Sequence, residues 1–281
     1  MRLRLDLAYD GTDFHGWATQ PGLRTVQGLV QGALSQVLRV DSMPVTCAGR
    51  TDTGVHARGQ VLHLDVPDDV LGAVVGRSTA PAVDALVRRL NGVLPADVRI
   101  RAGREAPDAF DARFSALWRR YSYRIADHPA SLDPLVRRWV LSRQRRLDVE
   151  AMNSAAELLV GEHDFAAFCK RREGATTIRT LLDLHWTRDE AGLVVAEVRA
   201  DAFCHHMVRA LVGCLVAVGE GRRPPEWAAE VLRRGVRDAG VSVVPAHGLT
   251  LEEVAYPADT ELARQAMASR RVRVAVESVD G

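Results

Sequence analysis

Hydrophobic and polar positions alternate strictly at the start of the chain. Leu3, Leu5, Leu7 and Tyr9 share one phase, and Arg2, Arg4 and Asp6 the other. That is the pattern of a half-buried strand over residues 2–10. A glycine-punctuated loop follows, Gly11-Thr12-Asp13-Phe14-His15-Gly16-Trp17. The period then changes. Val26, Leu29, Val30, Ala33, Leu34, Val37 and Leu38 recur at helical spacing as one apolar stripe. Thr25, just before it, suits the N-cap. Residues 41–44 read as a turn, and Val45-Thr46-Cys47 leads into a loop over 48–57. Alternation returns over 60–66 and 98–101. Between them, residues 81–90 suit a helix that ends near Asn91-Gly92.

A second round begins after Pro107, with residues 110–116 as connector. Tyr121, Tyr123 and Ile125 lie on one face of a strand, and Arg120, Ser122 and Arg124 on the other. Asp148 caps a helix that carries Val149, Met152, Ala156, Leu159 and Val160 and closes at Gly161. Strands are predicted over 178–186 and 193–200, around the turn 189–192. A helix follows over 204–219 and a last strand over 249–255. Two such rounds predict an α+β chain: two similar lobes, each a mostly antiparallel sheet with helices packed on it. The boundaries fall at 1–105 and 106–257. Residues 258–281 are weakly patterned and read as a C-terminal extension without an assigned role.

Composition narrows the class. The 281 residues are 47% hydrophobic and 26% charged, as in ordinary globular proteins with room for two domains. No apolar run is as long as a membrane-spanning helix. The alternating N-terminus with its early acid does not read as a signal peptide. The expectation is a cytoplasmic protein with no membrane partner. Cys47, Cys169, Cys204 and Cys214 show no CxxC spacing and read as reduced, buried thiols. The net charge is +1, so any nucleic-acid contact must come from a local basic face. Arg119-Arg120, Arg137-Arg138, Arg143 to Arg146 and Lys170-Arg171-Arg172 are the clusters available. Singly each is a solvated surface; several on one face form a phosphate track.

The densest chemistry lies in Ala48-Gly49-Arg50-Thr51-Asp52-Thr53-Gly54-Val55-His56-Ala57. Glycines on either side of an arginine and an aspartate allow a tight loop and close approach of a ligand. Asp52 reads either as a carboxylate presented to a substrate or as a turn aspartate bonded to its own backbone. In Arg119-Arg120-Tyr121-Ser122-Tyr123 the rings are either a cross-strand pair or a platform for a base flanked by phosphate-binding cations. Cys204-His205-His206 suggests a metal site. Helical neighbours at i and i+1 diverge, however, so no metal is expected. Arg209 stands in an otherwise apolar helix, where a guanidinium needs an anion or an opening to solvent.

Together these segments resemble the TruA family of tRNA pseudouridine synthases. The resemblance rests on 8–17, 48–57, 110–123, 172–180 and 203–213, and spans about residues 3–257. It implies a pair of ferredoxin-like lobes with a catalytic cleft between them, in a homodimer. It implies isomerisation of uridine to pseudouridine at positions 38, 39 and 40 of the tRNA anticodon stem-loop, without a cofactor. Asp52 falls on the catalytic aspartate and Tyr121 on the tyrosine that stacks on the target base. Arg209 falls on the arginine that pairs with the aspartate. Arg50 falls on the arginine that holds the flipped nucleotide. Arg119, Arg120, Lys170, Arg171, Arg172, His56 and His206 are the further RNA-contact candidates. The aspartate attacks C1′, attacks C6 or removes a sugar proton; the sequence does not choose. The alternatives are a non-catalytic tRNA-binding protein on the same fold and a metal-dependent hydrolase.

Overall fold

The computed structural model describes residues 1–76, 79–170 and 176–270. In chain order its strands and longer helices are β1 (Arg2–Tyr9), α1 (Val26–Leu38), β2 (Thr46–Cys47), β3 (His56–Asp65), α2 (Asp68–Val75), α3 (Ala82–Val93) and β4 (Val98–Ala106). Next come β5 (Trp118–Ala126), β6 (Leu141–Ser142), α4 (Val149–Glu157), β7 (Gly161–Asp164), β8 (Ile178–Arg188) and β9 (Val194–Ala200). The last are α5 (Met207–Gly219), α6 (Glu226–Arg234), β10 (Leu249–Ala255) and α7 (Leu262–Arg270). No helix among the described residues is long and apolar enough to cross a membrane.

The chain forms two compact units. The first takes residues 1–117 and 250–270. Its sheet runs β4-β1-β3-β10, with β2 on β3. β1 is antiparallel to both β3 and β4, and β10 is parallel to β3. The alternation of β1 has the expected result: Leu3, Leu5 and Leu7 are fully buried and the residues between them are not. Leu3 pairs with Leu64 and Leu5 with Leu62 across the strands, so one apolar face is continuous. α1 begins as expected, with the Thr25 hydroxyl accepting from the Gly28 amide, and buries Val26, Val30, Ala33, Leu34 and Leu38.

The second unit, from 118 to 249 among the described residues, has the sheet β5-β9-β8-β7, with β6 on β5. The long strands β5, β9 and β8 are antiparallel neighbours. α4 packs on α5, on α6 and on β8. α5 is buried along its whole length except at Arg209, as its nearly uniform apolarity requires.

Several elements differ from the sequence reading. The division falls after Leu117, and residues 250–270 group with the first unit. Thr250 and Leu251 sit beside His56 and Ala57 on β3. α4 stops at Glu157, leaving Val160 exposed, and Gly161 starts β7, which hydrophobic patterning did not mark. α2 was likewise not expected. The weakly patterned tail contains α7, which buries only Leu262 and Ala266. Two apolar positions are too few for a periodic signal. Polar ties replace them: Ser115 donates to the Leu262 carbonyl at 3.3 Å and Arg270 bonds Asp111 at 3.1 Å.

One buried ion pair anchors the second unit. The Asp127 side chain has no exposure. Both its oxygens accept from the Arg188 guanidinium at 2.8 Å, and one also accepts from the Leu147 amide at 2.8 Å. Burial alone pushes this carboxyl up. The Arg188 fork, the Leu147 amide and the charge of Arg146 more than offset it and hold the carboxyl below the usual aspartate range. A depressed pKa contributes stability above the unfolded value, about 4, and that stability is lost as pH falls through the folded value. Asp127→Asn is therefore expected to cost about 3 kcal/mol at pH 7 and to flatten the acid limb of a stability-against-pH curve. Denaturant unfolding between pH 7 and pH 3 checks both; an unchanged acid limb contradicts the assignment.

Candidate active site

The aspartate loop joins β2 to β3 in the first unit and is held on two sides. Gly49 and Thr51 mark the inner side. The Gln60 amide, fully buried on β3, donates to the Gly49 carbonyl at 2.8 Å and to the Tyr9 hydroxyl at 3.3 Å. The Tyr9 and Thr51 hydroxyls are bonded at 2.8 Å. The outer side is held by the loop 11–17. The Trp17 amide donates to the Thr51 carbonyl at 3.0 Å, and the Gly54 amide to the Phe14 carbonyl at 3.3 Å. The Val55 amide closes a turn onto the Asp52 carbonyl at 3.1 Å. Gly54 has φ +78° within that turn, which disfavours any other residue. Gly16, at φ +86°, lies where a Cβ would come within 2.8 Å of the Thr51 carbonyl oxygen. Both loops therefore need their glycines for the close approach.

The Asp52 side chain is half-buried and Arg50 is exposed. Cys47, just before the loop, is a buried free thiol pushed up to about 12 by burial, although the charge of Arg50 opposes this. It is not a nucleophile at neutral pH. His56 is also buried. Its Nδ1 accepts from the Gly11 amide at 3.0 Å and lies 3.1 Å from Asp10. The residue expected as an RNA contact thus ties the start of β3 to the loop 11–17. Asp13 and His15 are exposed on that loop.

The second unit places the other candidates. Tyr121 is buried on β5, opposite Val198 on β9, and meets Phe203 edge-on with ring centroids 5.1 Å apart. Tyr123 is fully buried and donates to the Pro245 carbonyl at 2.7 Å; burial raises its pKa. Arg119 is buried and donates to the Asp201 carbonyl at 2.7 Å. Arg120 is half-buried, 3.3 Å from Glu197. Arg119 shares the phase of Tyr121 and Tyr123 on β5 and turns inward with them. Arg209 is half-buried, and its Nε donates to the Val244 carbonyl at 2.7 Å. Its partial exposure is the opening to solvent that a guanidinium in an apolar helix needs. Lys170 is exposed; Arg171 and Arg172 lie outside the described residues. His206 is at φ +69°, immediately before α5, and its ring lies 4.1 Å from that of His205. The Lys170 amide donates to the His205 carbonyl at 2.8 Å, so the two basic segments share a backbone bond.

The cysteine reading is corrected here. Cys169 and Cys204 form a disulfide, with Cα atoms 5.7 Å apart. Cys47 and Cys214 remain free and buried. A separation of 35 residues carries no sequence signature, because only the fold brings the two together. The link joins the residue before Lys170 to the residue before His205.

Comparison with known proteins identifies the class. A family profile described as tRNA pseudouridine synthase matches residues 155–257. The tRNA pseudouridine synthase A of Frankia casuarinae is 61% identical over 274 residues, covering 98% of this chain and 96% of the relative. The tRNA pseudouridine synthase A of Streptomyces griseus is 59% identical, covering 97% and 94%. That of Streptomyces avermitilis is 55% identical, again covering 97% and 94%. The chain belongs to the tRNA pseudouridine synthase family.

Sequence reasoning missed Tyr9, Thr51 and Gln60 as parts of the site. One signal was available: Gln60 occupies the apolar phase of β3, shared with Leu62 and Leu64, where a polar side chain is out of pattern.

The disulfide is open to a direct test. Closing a loop of this length restricts the unfolded chain by about 3–4 kcal/mol. Under non-reducing conditions a Cys169–Cys204 cross-linked peptide is expected by mass spectrometry. Cys169→Ser is expected to lower Tm without reductant and to match the wild type with it. Alkylation of all four cysteines in the untreated native chain, once denatured, contradicts the link.

Proposed function

We propose that this chain isomerises uridine to pseudouridine at positions 38, 39 and 40 of the tRNA anticodon stem-loop, with Asp52 as the catalytic group. The observation that carries the reading is a half-buried aspartate on a loop held from both sides, in a chain 61% identical over 98% of its length to a tRNA pseudouridine synthase A. The family resemblance supplies the positions and the roles.

The reaction breaks the glycosidic C–N bond, turns the uracil and forms a C–C bond to the same sugar. Nothing is oxidised and no water is added on balance, so the residues can suffice without a cofactor. A base stacked in a stem is out of reach and must be flipped out first. Arg50, exposed on the aspartate loop, suits contact with the displaced nucleotide. The Tyr121 ring offers the stacking surface. Its edge-on packing against Phe203 fixes the plane of the ring, so little order is lost when a base arrives. Arg209 is assigned as the cation that keeps Asp52 ionised while the nucleotide excludes water, since a nearby guanidinium offsets the effect of desolvation. The carboxylate then attacks C1′, attacks C6 or removes a sugar proton. Lys170, Arg171 and Arg172, with His206, are read as phosphate and backbone contacts that position the RNA without reading its sequence. A homodimer in the cytoplasm completes the reading.

Asp52→Asn keeps the shape of the side chain and removes its charge. Pseudouridine formation is expected to fall by at least about 10³-fold, while tRNA affinity stays within a few-fold, because phosphate contacts dominate binding. Mapping of pseudouridine in unmodified tRNA, with filter binding in parallel, measures both. Turnover by Asp52→Asn at more than a tenth of the wild-type rate would sink the assignment. Tyr121→Ala is expected to lose much of the activity, and Tyr121→Phe separates stacking from proton transfer. A fully active Phe variant leaves stacking as the role. A Phe variant that binds but does not turn over makes the hydroxyl chemical.

A further inference from the structure

We propose that Tyr9, Thr51 and Gln60 form a positioning network that sets the aim of the Asp52 carboxylate, and that the rate of the chemical step depends on it. The proposal rests on the reading of Asp52 as the catalytic group.

All three side chains are buried: Tyr9 is 5% exposed, Thr51 6% and Gln60 0%. Gln60 stands opposite Leu7 on β1, in a face otherwise made by Leu3, Leu5, Leu62 and Leu64. An amide there gives up water and must recover its hydrogen bonds inside the protein. It does so. Its nitrogen donates to the Gly49 carbonyl and the Tyr9 hydroxyl, and its oxygen accepts from the Val61 amide at 3.2 Å. A leucine would pack this face as its neighbours do. The polar side chain gains in addition a grip on the aspartate loop, because its 2.8 Å bond ends on the Gly49 carbonyl.

Tyr9 extends that grip to the residue next to Asp52. Between Leu7 and Tyr9 the register of β1 on β3 shifts: Leu7 faces Gln60, and Tyr9 faces Ala57. Such a bulge re-aims side chains at a strand end. Here it accompanies a Tyr9 hydroxyl within reach of both Gln60 and Thr51, at 3.3 and 2.8 Å. Thr51 thus has its side chain held from the sheet and its carbonyl held by Trp17. With Thr51 fixed at both ends and the Asp52 carbonyl closed onto Val55, rotation of the Asp52 backbone is restricted. The loop takes its rigidity from two paired strands. A site on loops is otherwise less precise than one on regular elements, and a misplacement of about 1 Å can cost roughly 100-fold in rate.

Single-turnover pseudouridine formation tests this, with Tyr9→Phe, Thr51→Val, their double variant and Thr51→Ser. Tyr9→Phe and Thr51→Val each remove one hydroxyl with little change of volume. Each is expected to slow the chemical step by about 10–100-fold while KM for tRNA stays within threefold. The double variant is expected to be no slower than the worse single one, since both break the same bond. Thr51→Ser, which restores the hydroxyl, is expected to recover most of the lost rate. A network that serves folding alone would lower Tm and leave the rate of the folded fraction intact. Folded Tyr9→Phe and Thr51→Val enzymes within twofold of the wild-type rate overturn the proposal, as do losses that multiply in the double variant. Should Tyr9→Phe fail to fold, the comparison of Thr51→Val with Thr51→Ser decides alone. Asp52→Asn, assayed in parallel, separates the two claims. If it is active, the catalytic reading fails. If it is inactive while the hydroxyl variants match the wild type, only the network fails.

Discussion

One backbone hydrogen bond, from the Trp17 amide to the Thr51 carbonyl at 3.0 Å, joins two loops that lie more than thirty residues apart in sequence. The arrangement around Asp52 depends on that closeness. Gly16 must present hydrogen instead of a side chain for the bond to form. The Gly54 amide then meets the Phe14 carbonyl, and the Gly11 amide meets His56. Phe14 and Trp17 are almost fully buried at the edges of the same junction. A short loop with an aspartate in it is common and mobile in isolation. Strapped to a second loop, and tied from beneath through Tyr9 and Gln60, it becomes a fixed mount for a carboxylate. Free energy spent on ordering this loop in folding is not required again when substrate binds.

The first unit was legible wherever a period was legible. The alternation of Leu3, Leu5, Leu7 and Tyr9 gave β1 within a residue, and the stripe from Val26 to Leu38 with Thr25 ahead of it gave α1 and its cap. β8, β9 and β10 followed the same logic. The reading stopped where long-range pairing decides. β10 comes last among the strands, and its parallel pairing with β3 carries no sequence signal. α7 carries two buried side chains and several polar ties to 111–116, and such ties have no sequence period. The Cys169–Cys204 link has the same character.

Candidate residues were legible by type more than by environment. Asp52 stands where the motif suggested, half-buried on a tight loop. Arg119 and His56 were grouped by charge and position with RNA contacts, but the fold turns both inward, onto the Asp201 carbonyl and onto Gly11. For Arg119 the charge misleads while the phase does not, since it stands in step with Tyr121 and Tyr123 on the inward face of β5. Gln60 is the opposite case: an uncharged side chain in an apolar phase, invisible as chemistry, at the base of the loop that carries the aspartate.

On the proposed reading, the chain isomerises tRNA uridine with its own side chains. Wild-type protein incubated with unmodified tRNA and excess EDTA, followed by site-by-site mapping of pseudouridine, tests it most directly. Pseudouridine confined to positions 38, 39 and 40, formed equally with and without chelator, is expected. Intact tRNA without pseudouridine, or conversion abolished by the chelator, would contradict it.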